Sequence, residues 1–205
     1  DKVLNVAKFG PDTLKHVSER LRDDEDVVFT ALSYHSDALK YASFRFRDSE
    51  ELILSLVERD AVVIKYASSR LKDNVSIVKQ AILKNGTLLQ YASEGLKDNF
   101  ELVKAAVQEN GNALEFASER LKNNKEIVLL AVQSRGHFFR YASDTCRDDF
   151  SIVLAAIENN RYFSVLEFAS ERVNNNKELV LAAVQNHGLS IKFASNILKN
   201  DIDVV

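Results

Sequence analysis

Eight serines are the residues whose type and spacing most suggest chemistry, because seven close a repeated tripeptide of aromatic, alanine and serine and Ser18 closes the variant His16-Val17-Ser18. One interpretation makes the serine a nucleophile or a modification site, and a nucleophilic serine needs a base within hydrogen-bond reach. None of the four histidines recurs at a fixed offset from the serines. We therefore interpret the serine as structural, a small hydroxyl at the edge of a packed helix face that bonds the carbonyl four residues back. The serines are Ser18, Ser43, Ser68, Ser93, Ser118, Ser143, Ser170 and Ser195, and the histidines are His16, His35, His137 and His187.

A row of arginines four residues after the aromatic is the second set with chemical potential. Together with the basic residues that close the same helix, these arginines could form a ladder for phosphates. Alternatively, each guanidinium lies over the aromatic of its own helix. Acidic residues interleaved on the same helices weaken the phosphate interpretation. The row consists of Arg20, Arg45, Arg70, Arg120 and Arg172.

Cys146, the single cysteine, stands where other copies of the repeat have leucine, so we expect a buried, unreactive thiol. One cysteine cannot build a disulfide framework and fits a reducing compartment. No cluster of histidine, cysteine and acidic residues has metal-ligand spacing. The sequence therefore predicts no metal, no cofactor and no small-molecule substrate.

The overall composition narrows the class of partner. Of 205 residues, 46% are apolar and 28% are charged, and the formal net charge is only -3. The acids and bases are well mixed, so the chain has no global field to hold a polyanion. No apolar run approaches the roughly 20 residues needed to cross a bilayer, and no secretion signal is evident. These features argue against nucleic-acid and membrane partners and predict a cytoplasmic protein.

The tripeptide returns every 25 residues, with one step of 27 between Tyr141 and Phe168. A fixed period in this range is typical of a repeat array, in which each unit buries its apolar face against its neighbours. One proline and six glycines leave few helix breakers, and no segment sustains the alternation of a strand. The elements of the array should therefore be helices.

Each repeat reads as two short helices. In one copy, Leu89, Ala92, Ser93 and Leu96 have the i, i+3, i+4, i+7 spacing of a single helix face, and the stretch 102–107 carries a second apolar stripe. We predict an all-α solenoid of about eight 25-residue helix-turn-helix repeats. Residues 1–205 should form a single array with incomplete first and last repeats, and we expect it to be an excerpt of a longer array.

An Asp/Asn pair between the two helices, such as Asp98-Asn99, predicts the N-cap of the second helix. Gly86, Gly111, Gly136 and Gly188 follow the second helix, where a residue with positive φ commonly ends it.

The stretch from Leu114 to Val128, which reads LEFASERLKNNKEIV, continues to Ala131-Val132 and Gly136 and resembles the repeat family called domain of unknown function 4116. The resemblance covers nearly the whole chain. It implies tandem helical hairpins of a kind found in large protist and viral proteins and in effectors injected by intracellular bacteria. It also implies an interaction array, places the protein in the host cytosol if it is part of such an effector, and supplies no catalytic residue.

The break in the period is the sharpest candidate for a functional site. Two extra residues fall near Arg161, and an insertion in a repeat array maps to a loop, often on the binding face. Exposed aromatic residues with arginine are typical of binding hot spots. We predict a partner-binding patch here, and the alternative is a kink that the aromatics fill. The patch comprises Arg135, His137, Arg140, Arg161, Tyr162 and Phe163.

The sequence thus favours a non-enzymatic scaffold that binds another protein through its extended surface. Two alternatives stay open. One is an architectural spacer within a larger effector-like protein, and the other is an array that binds nucleic acid or phosphate.

Overall fold

The computed structural model describes residues 10–160 and 162–204, and within these ranges every regular element is helical and none is a strand. The predicted all-α repeat architecture is confirmed. Backbone contacts divide the chain into two compact units, Asp1–Leu96 and Lys97–Val205. The prediction of one array that continues beyond this sequence stays a prediction.

The first seven repeats contain three helical pieces in a constant order, a 3-10 helix, a four-residue α-helix and a longer α-helix, and the last repeat has the first two within the described residues. The 3-10 helices are Pro11–His16, Ser36–Tyr41, Ala61–Tyr66, Gly86–Tyr91, Gly111–Phe116, Gly136–Tyr141, Val165–Glu167 and Gly188–Phe193. The short α-helices are Glu19–Arg22, Phe44–Arg47, Ser69–Lys72, Glu94–Lys97, Glu119–Lys122, Asp144–Arg147, Glu171–Asn174 and Asn196–Lys199. The long α-helices are Glu25–Tyr34, Glu50–Arg59, Val75–Ile82, Phe100–Glu109, Lys125–Ser134, Phe150–Glu158 and Lys177–Asn186.

The single first helix predicted for each repeat is wrong, because the tripeptide divides it. Ala117 (φ -67°, ψ 156°) and Ser118 (φ -60°, ψ 156°) are extended and separate a 3-10 helix from the short α-helix. The Ser118 hydroxyl accepts a hydrogen bond from the backbone N–H of Leu121 at 3.2 Å. Serine favours this N-cap role over a helix interior because its hydroxyl competes for backbone groups. The residues with the i, i+3, i+4, i+7 spacing therefore belong to two successive helices rather than to one face of a single helix.

The long helices begin where the Asp/Asn pair predicts, at its second member. Asn99 Oδ1 accepts from the N–H of Leu102 at 3.0 Å, and Asn124 Oδ1 accepts from the N–H of Ile127 at 3.1 Å. The first member of the pair instead ends the short helix, as Asn123 does. This position leaves its side chain available to the following repeat.

Each unit buries one apolar side of its long helices against the 3-10 helices and against neighbouring long helices. Full burial of such a side chain stabilises the fold by about 1.5–3 kcal/mol. Two expectations about this core are confirmed: Phe139 fills a leucine position at 1% exposure, and Cys146 is buried. The largest fully buried side chains include Leu39, Ile53, Ile64 and Ile77 in the first unit and Leu114, Leu121 and Ile127 in the second.

The positive φ predicted for the glycines is wrong, because no described glycine has one. They stand at the first residue of a 3-10 helix, and at Gly111 and Gly136 close packing explains the absence of a side chain. A Cβ on Gly136 would lie 1.9 Å from the carbonyl oxygen of Ala156 and 2.6 Å from Asn160 Cβ. The backbone of the 3-10 helix thus touches the next long helix directly.

Consecutive repeats are joined by a polar junction that the serine and the helix-ending Asp or Asn share. The serine N–H donates to the carbonyl that precedes the Asp, as from Ser118 to Lys97 at 2.9 Å, and its hydroxyl donates to the Asp side chain. The predicted bond from the serine to the carbonyl four residues back is therefore wrong. The hydroxyl pairs are Ser43 with Asp23, Ser68 with Asp48, Ser93 with Asp73, Ser118 with Asp98, Ser143 with Asn123 and Ser170 with Asp148.

The arginine two residues after the serine completes the junction. Arg120 Nε lies 2.9 Å from Asp98 Oδ1, and its Nη2 donates to the Asp98 carbonyl at 2.6 Å. Arg120 therefore does not lie over its own aromatic, and that interpretation is wrong. The same arrangement recurs in Arg45 on Asp23, Arg70 on Asp48 and Arg172 on Asp148.

Candidate functional site

The loop at the break in the period is organised by the buried side chain of Asn160. Its Oδ1 accepts from the N–H of Tyr162 at 3.3 Å, and its Nδ2 donates to the carbonyl of Phe163 at 3.1 Å. Three other repeats make the same bond to the residue two positions on, for example from the N–H of Asn112 to Asn110 Oδ1 at 3.0 Å. The extra residues therefore follow a turn that recurs in the array.

The insertion shortens the next 3-10 helix and exposes two aromatic side chains. That helix has three residues, Val165–Glu167, where the others have six. Tyr162 is 81% exposed and Phe163 is 60% exposed. Neither ring fills the interior, so the alternative of a kink packed by its own aromatics does not fit their exposure.

The preceding 3-10 helix forms the opposite wall of the site. The N–H of Gly136 donates to the carbonyl of Asn159 at 3.0 Å, which ties that helix to the end of the long helix Phe150–Glu158. The centroid of the His137 ring lies 6.4 Å from that of Phe163 and 4.1 Å from that of Phe138, and the planes of His137 and Phe138 are tilted by 46°.

Two cavities lie on either side of the wall made by His137, Asn160 and Phe163, and we call this region the insertion notch. The first cavity has a volume of about 450 Å³ and the second about 530 Å³. Besides these three residues, the first cavity is lined by Gly136, Phe139, Arg140, Ser164, Val165, Glu167 and Phe168. The second cavity is lined by Arg135, Glu158, Asn159 and Tyr162 as well.

The charges at the insertion notch are mixed, and its histidine is held neutral. Burial first, and then the guanidinium groups of Arg140 and Arg135, lower the pKa of His137. Near pH 7 the imidazole therefore offers one donor and one acceptor rather than a positive charge. Arg140 is oriented by Tyr141, since its Nη2 donates to the phenol oxygen at 2.7 Å and its guanidinium lies 4.8 Å from the ring centroid.

Five of the six residues predicted for the patch line the insertion notch together: Arg135, His137, Arg140, Tyr162 and Phe163. Arg161, the sixth, lies outside the described residues. That the patch binds a partner stays a prediction.

Sequence reasoning missed five polar residues of the insertion notch: Glu158, Asn159, Asn160, Ser164 and Glu167. Asn160 carried a usable signal, because it occupies the position of the turn-forming Asn110 in another copy. Ser164 is 7% exposed and its hydroxyl has no hydrogen-bond partner in the structure. No sequence signal distinguishes Ser164 or Glu167, because the folded loop alone brings them to the cavity.

Among the hydrogen bonds of residues 10–160 and 162–204, none joins His137 to a serine, a cysteine or a carboxylate. Recognition needs no such coupling, because exposed aromatic rings beside arginine and shaped cavities are sufficient.

The arginine row offers little to a polyanion. Four of its five members are bonded to the aspartate of the preceding repeat, so their charge is locally balanced. The balanced members are Arg45, Arg70, Arg120 and Arg172.

None of the described helices has the length and apolar character that crossing a membrane requires. Comparison with curated proteins and with solved structures finds no match to this chain. A family model described as Domain of unknown function (DUF4116) matches five times in tandem, at residues 1–47, 49–97, 99–147, 127–174 and 176–205. The second match, 49–97, contains two copies of the tripeptide, so one match of the model spans two structural repeats. With matches from one end of the sequence to the other and a helical repeat that recurs with the same caps, the chain belongs to the DUF4116 family.

Proposed function

We propose that this protein is a non-enzymatic scaffold that binds another protein, and that the insertion notch is its main contact site. The observation that carries the proposal is the exposure of Tyr162 and Phe163 beside two cavities and next to arginine. Large aromatic side chains and arginine dominate the binding energy of protein interfaces. Elsewhere in the array the same positions are taken up by regular 3-10 helices.

The repeated and the variable residues have separate roles in this proposal. The caps, the junctions and the buried stripes hold each repeat on its neighbour, while the residues at the break supply recognition. A reducing cytoplasmic setting fits the single buried Cys146. A nucleic-acid partner is a weaker proposal, because the junction aspartates balance most of the arginine row.

A crosslinking experiment tests the insertion notch directly. A photoreactive phenylalanine analogue at position 162 should capture a discrete partner, and the same analogue at Tyr34 is the matched control, since Tyr34 is also exposed at 57%. The captured protein is then purified and its affinity is measured against the double variant Tyr162→Ala, Phe163→Ala. Loss of two hot-spot aromatics should weaken binding by at least about tenfold.

The control variant Tyr34→Ala should bind as the unchanged protein does. Equal affinity of the double variant and the unchanged protein would remove the insertion notch from the interface. If no position captures a partner and an exchange of whole repeats leaves function intact, the chain is an architectural spacer. A mobility shift on nucleic acid that weakens steeply with salt would support the phosphate-binding alternative.

A further inference from the structure

Among the junctions built on an aspartate, the one between Asp73 and Ser93 lacks an arginine. Ser93 donates its hydroxyl to Asp73 and its N–H to the carbonyl of Lys72 at 3.0 Å, as at the other junctions. The residue two positions after the serine is Gly95, where Arg45, Arg70, Arg120 and Arg172 stand in other copies. Gly95 has no side chain, so Asp73 accepts the hydroxyl of Ser93 without the guanidinium that arginine supplies at the other aspartate junctions.

The space that the missing side chain would fill is open. A Cβ on Gly95 would meet only Asp73 Oδ1 and Ser93 Oγ, both at 3.9 Å, within a 4 Å radius. Asp73 is exposed, as is Asp23, which carries Arg45, so the Asp73 side chain can be approached from solvent.

The four filled junctions show what the carboxylate and backbone carbonyl oxygens of the aspartate bind. In each, the guanidinium Nε lies 2.9–3.2 Å from a carboxylate oxygen and Nη2 lies 2.6 Å from the carbonyl oxygen of the same aspartate. A planar guanidinium satisfies both acceptors at once, and an ammonium group, which carries its donors on one atom, cannot span them in the same way.

One filled junction shows a third contact that has a counterpart at the open one. The residue two positions after Asp148 touches the arginine: Phe150 lies under the guanidinium of Arg172 at 4.2 Å. At the open junction this position is Val75, which is 49% exposed and offers an apolar surface for the stem of an arginine side chain.

We propose that Asp73, Gly95 and Val75 form a docking slot for an arginine side chain presented by a partner protein. The carboxylate and carbonyl oxygens of Asp73 accept from the guanidinium, and Val75 covers its aliphatic stem. The slot lies in the first unit and the insertion notch in the second, so it is a separate contact site whose test does not depend on the notch.

The probe is methylguanidinium, titrated into the isotope-labelled full chain while backbone amide NMR signals are followed. The signals of Ser93 and Gly95 should shift and saturate, and methylammonium at equal concentration should bind about two- to fivefold more weakly. Asp73→Asn should reduce affinity by a similar factor. Gly95→Arg should abolish the response because it fills the slot from within the chain, and Gly95→Ala, which keeps the slot open, is its matched control.

Three results would overturn the slot. One is a linear, unsaturated shift with methylguanidinium. Another is an equal response in Gly95→Arg and Gly95→Ala, with thermal melts confirming that both variants are folded. The third is tighter binding of free arginine than of arginine blocked at both ends, which would indicate an amino-acid site rather than a protein contact. Dependence of the Gly95 signal on protein concentration alone would instead identify a second copy of this chain as the occupant.

Discussion

Among the three glycines of the second unit, Gly136 has the closest obstacle to an added methyl group. In Gly136→Ala the new Cβ would stand 1.9 Å from the Ala156 carbonyl oxygen, and ordinary contacts begin near 3.4 Å. The obstacle is backbone, so a helix must move by roughly 1 Å or more rather than a side chain rotate. We expect a loss near the top of the range for overpacking, about 3 kcal/mol.

The equivalent residue of the last repeat provides a matched control. Gly188 has nothing within 4 Å of an added Cβ, and its φ is not positive. Gly188→Ala should therefore stabilise the protein by about 0.4–1 kcal/mol, because it restricts the unfolded chain without strain. Both variants add one methyl group at the same position of the repeat, and the expected changes in the free energy of unfolding have opposite signs.

Urea unfolding followed by circular dichroism measures the free energy of unfolding of both variants, and thermal melts measure their Tm. A loss of about 3 kcal/mol corresponds to a fall in Tm of about 6–12 °C for a chain of this size. An unfolding free energy for Gly136→Ala equal to that of the unchanged protein, or to that of Gly188→Ala, would refute the close approach of these two backbones.

Two further predictions concern titrating groups. The Ser118 hydroxyl and then the Arg120 guanidinium lower the pKa of Asp98 below its ordinary 3.8, so the stability from this junction is complete above that value and is lost as pH falls through the folded pKa. The urea midpoint should fall between about pH 5 and pH 3 and fall less in Asp98→Asn, and parallel pH profiles would contradict this. Burial raises the pKa of the Cys146 thiol, so an aromatic disulfide reagent should react slowly with the native protein and rapidly in urea. A native rate equal to the unfolded rate would show that the thiol is accessible.

Features that depend on local sequence were predictable. Asn99 and Asn124 cap long helices because an amide oxygen can reach backbone N–H groups only two or three residues away. The burial of Phe139 and Cys146 followed from their register within the repeat. The residues around the insertion were found because a change of period is visible without coordinates.

The junction partners were partly visible and were missed. Among the junctions, arginine occurs only where the preceding repeat supplies an aspartate. Where Asn123 replaces that aspartate, the residue two positions after the serine is Thr145 instead of arginine. Comparison of copies at a separation of 22 residues would have shown this match of charges. Reasoning confined to one helix instead placed the arginine over its own aromatic.

The sequence by itself determined the period, the helical class, the caps and the buried stripes, because each depends on groups a few residues apart or on a repeated register. Only the tertiary structure decided that the serine divides the first helix, that its hydroxyl and the arginine serve the preceding repeat, and that Gly136 meets the backbone of the next long helix. Those choices depend on which groups the packing of whole repeats brings within 3 Å, and that distance is set by the fold rather than by any local stretch of chain.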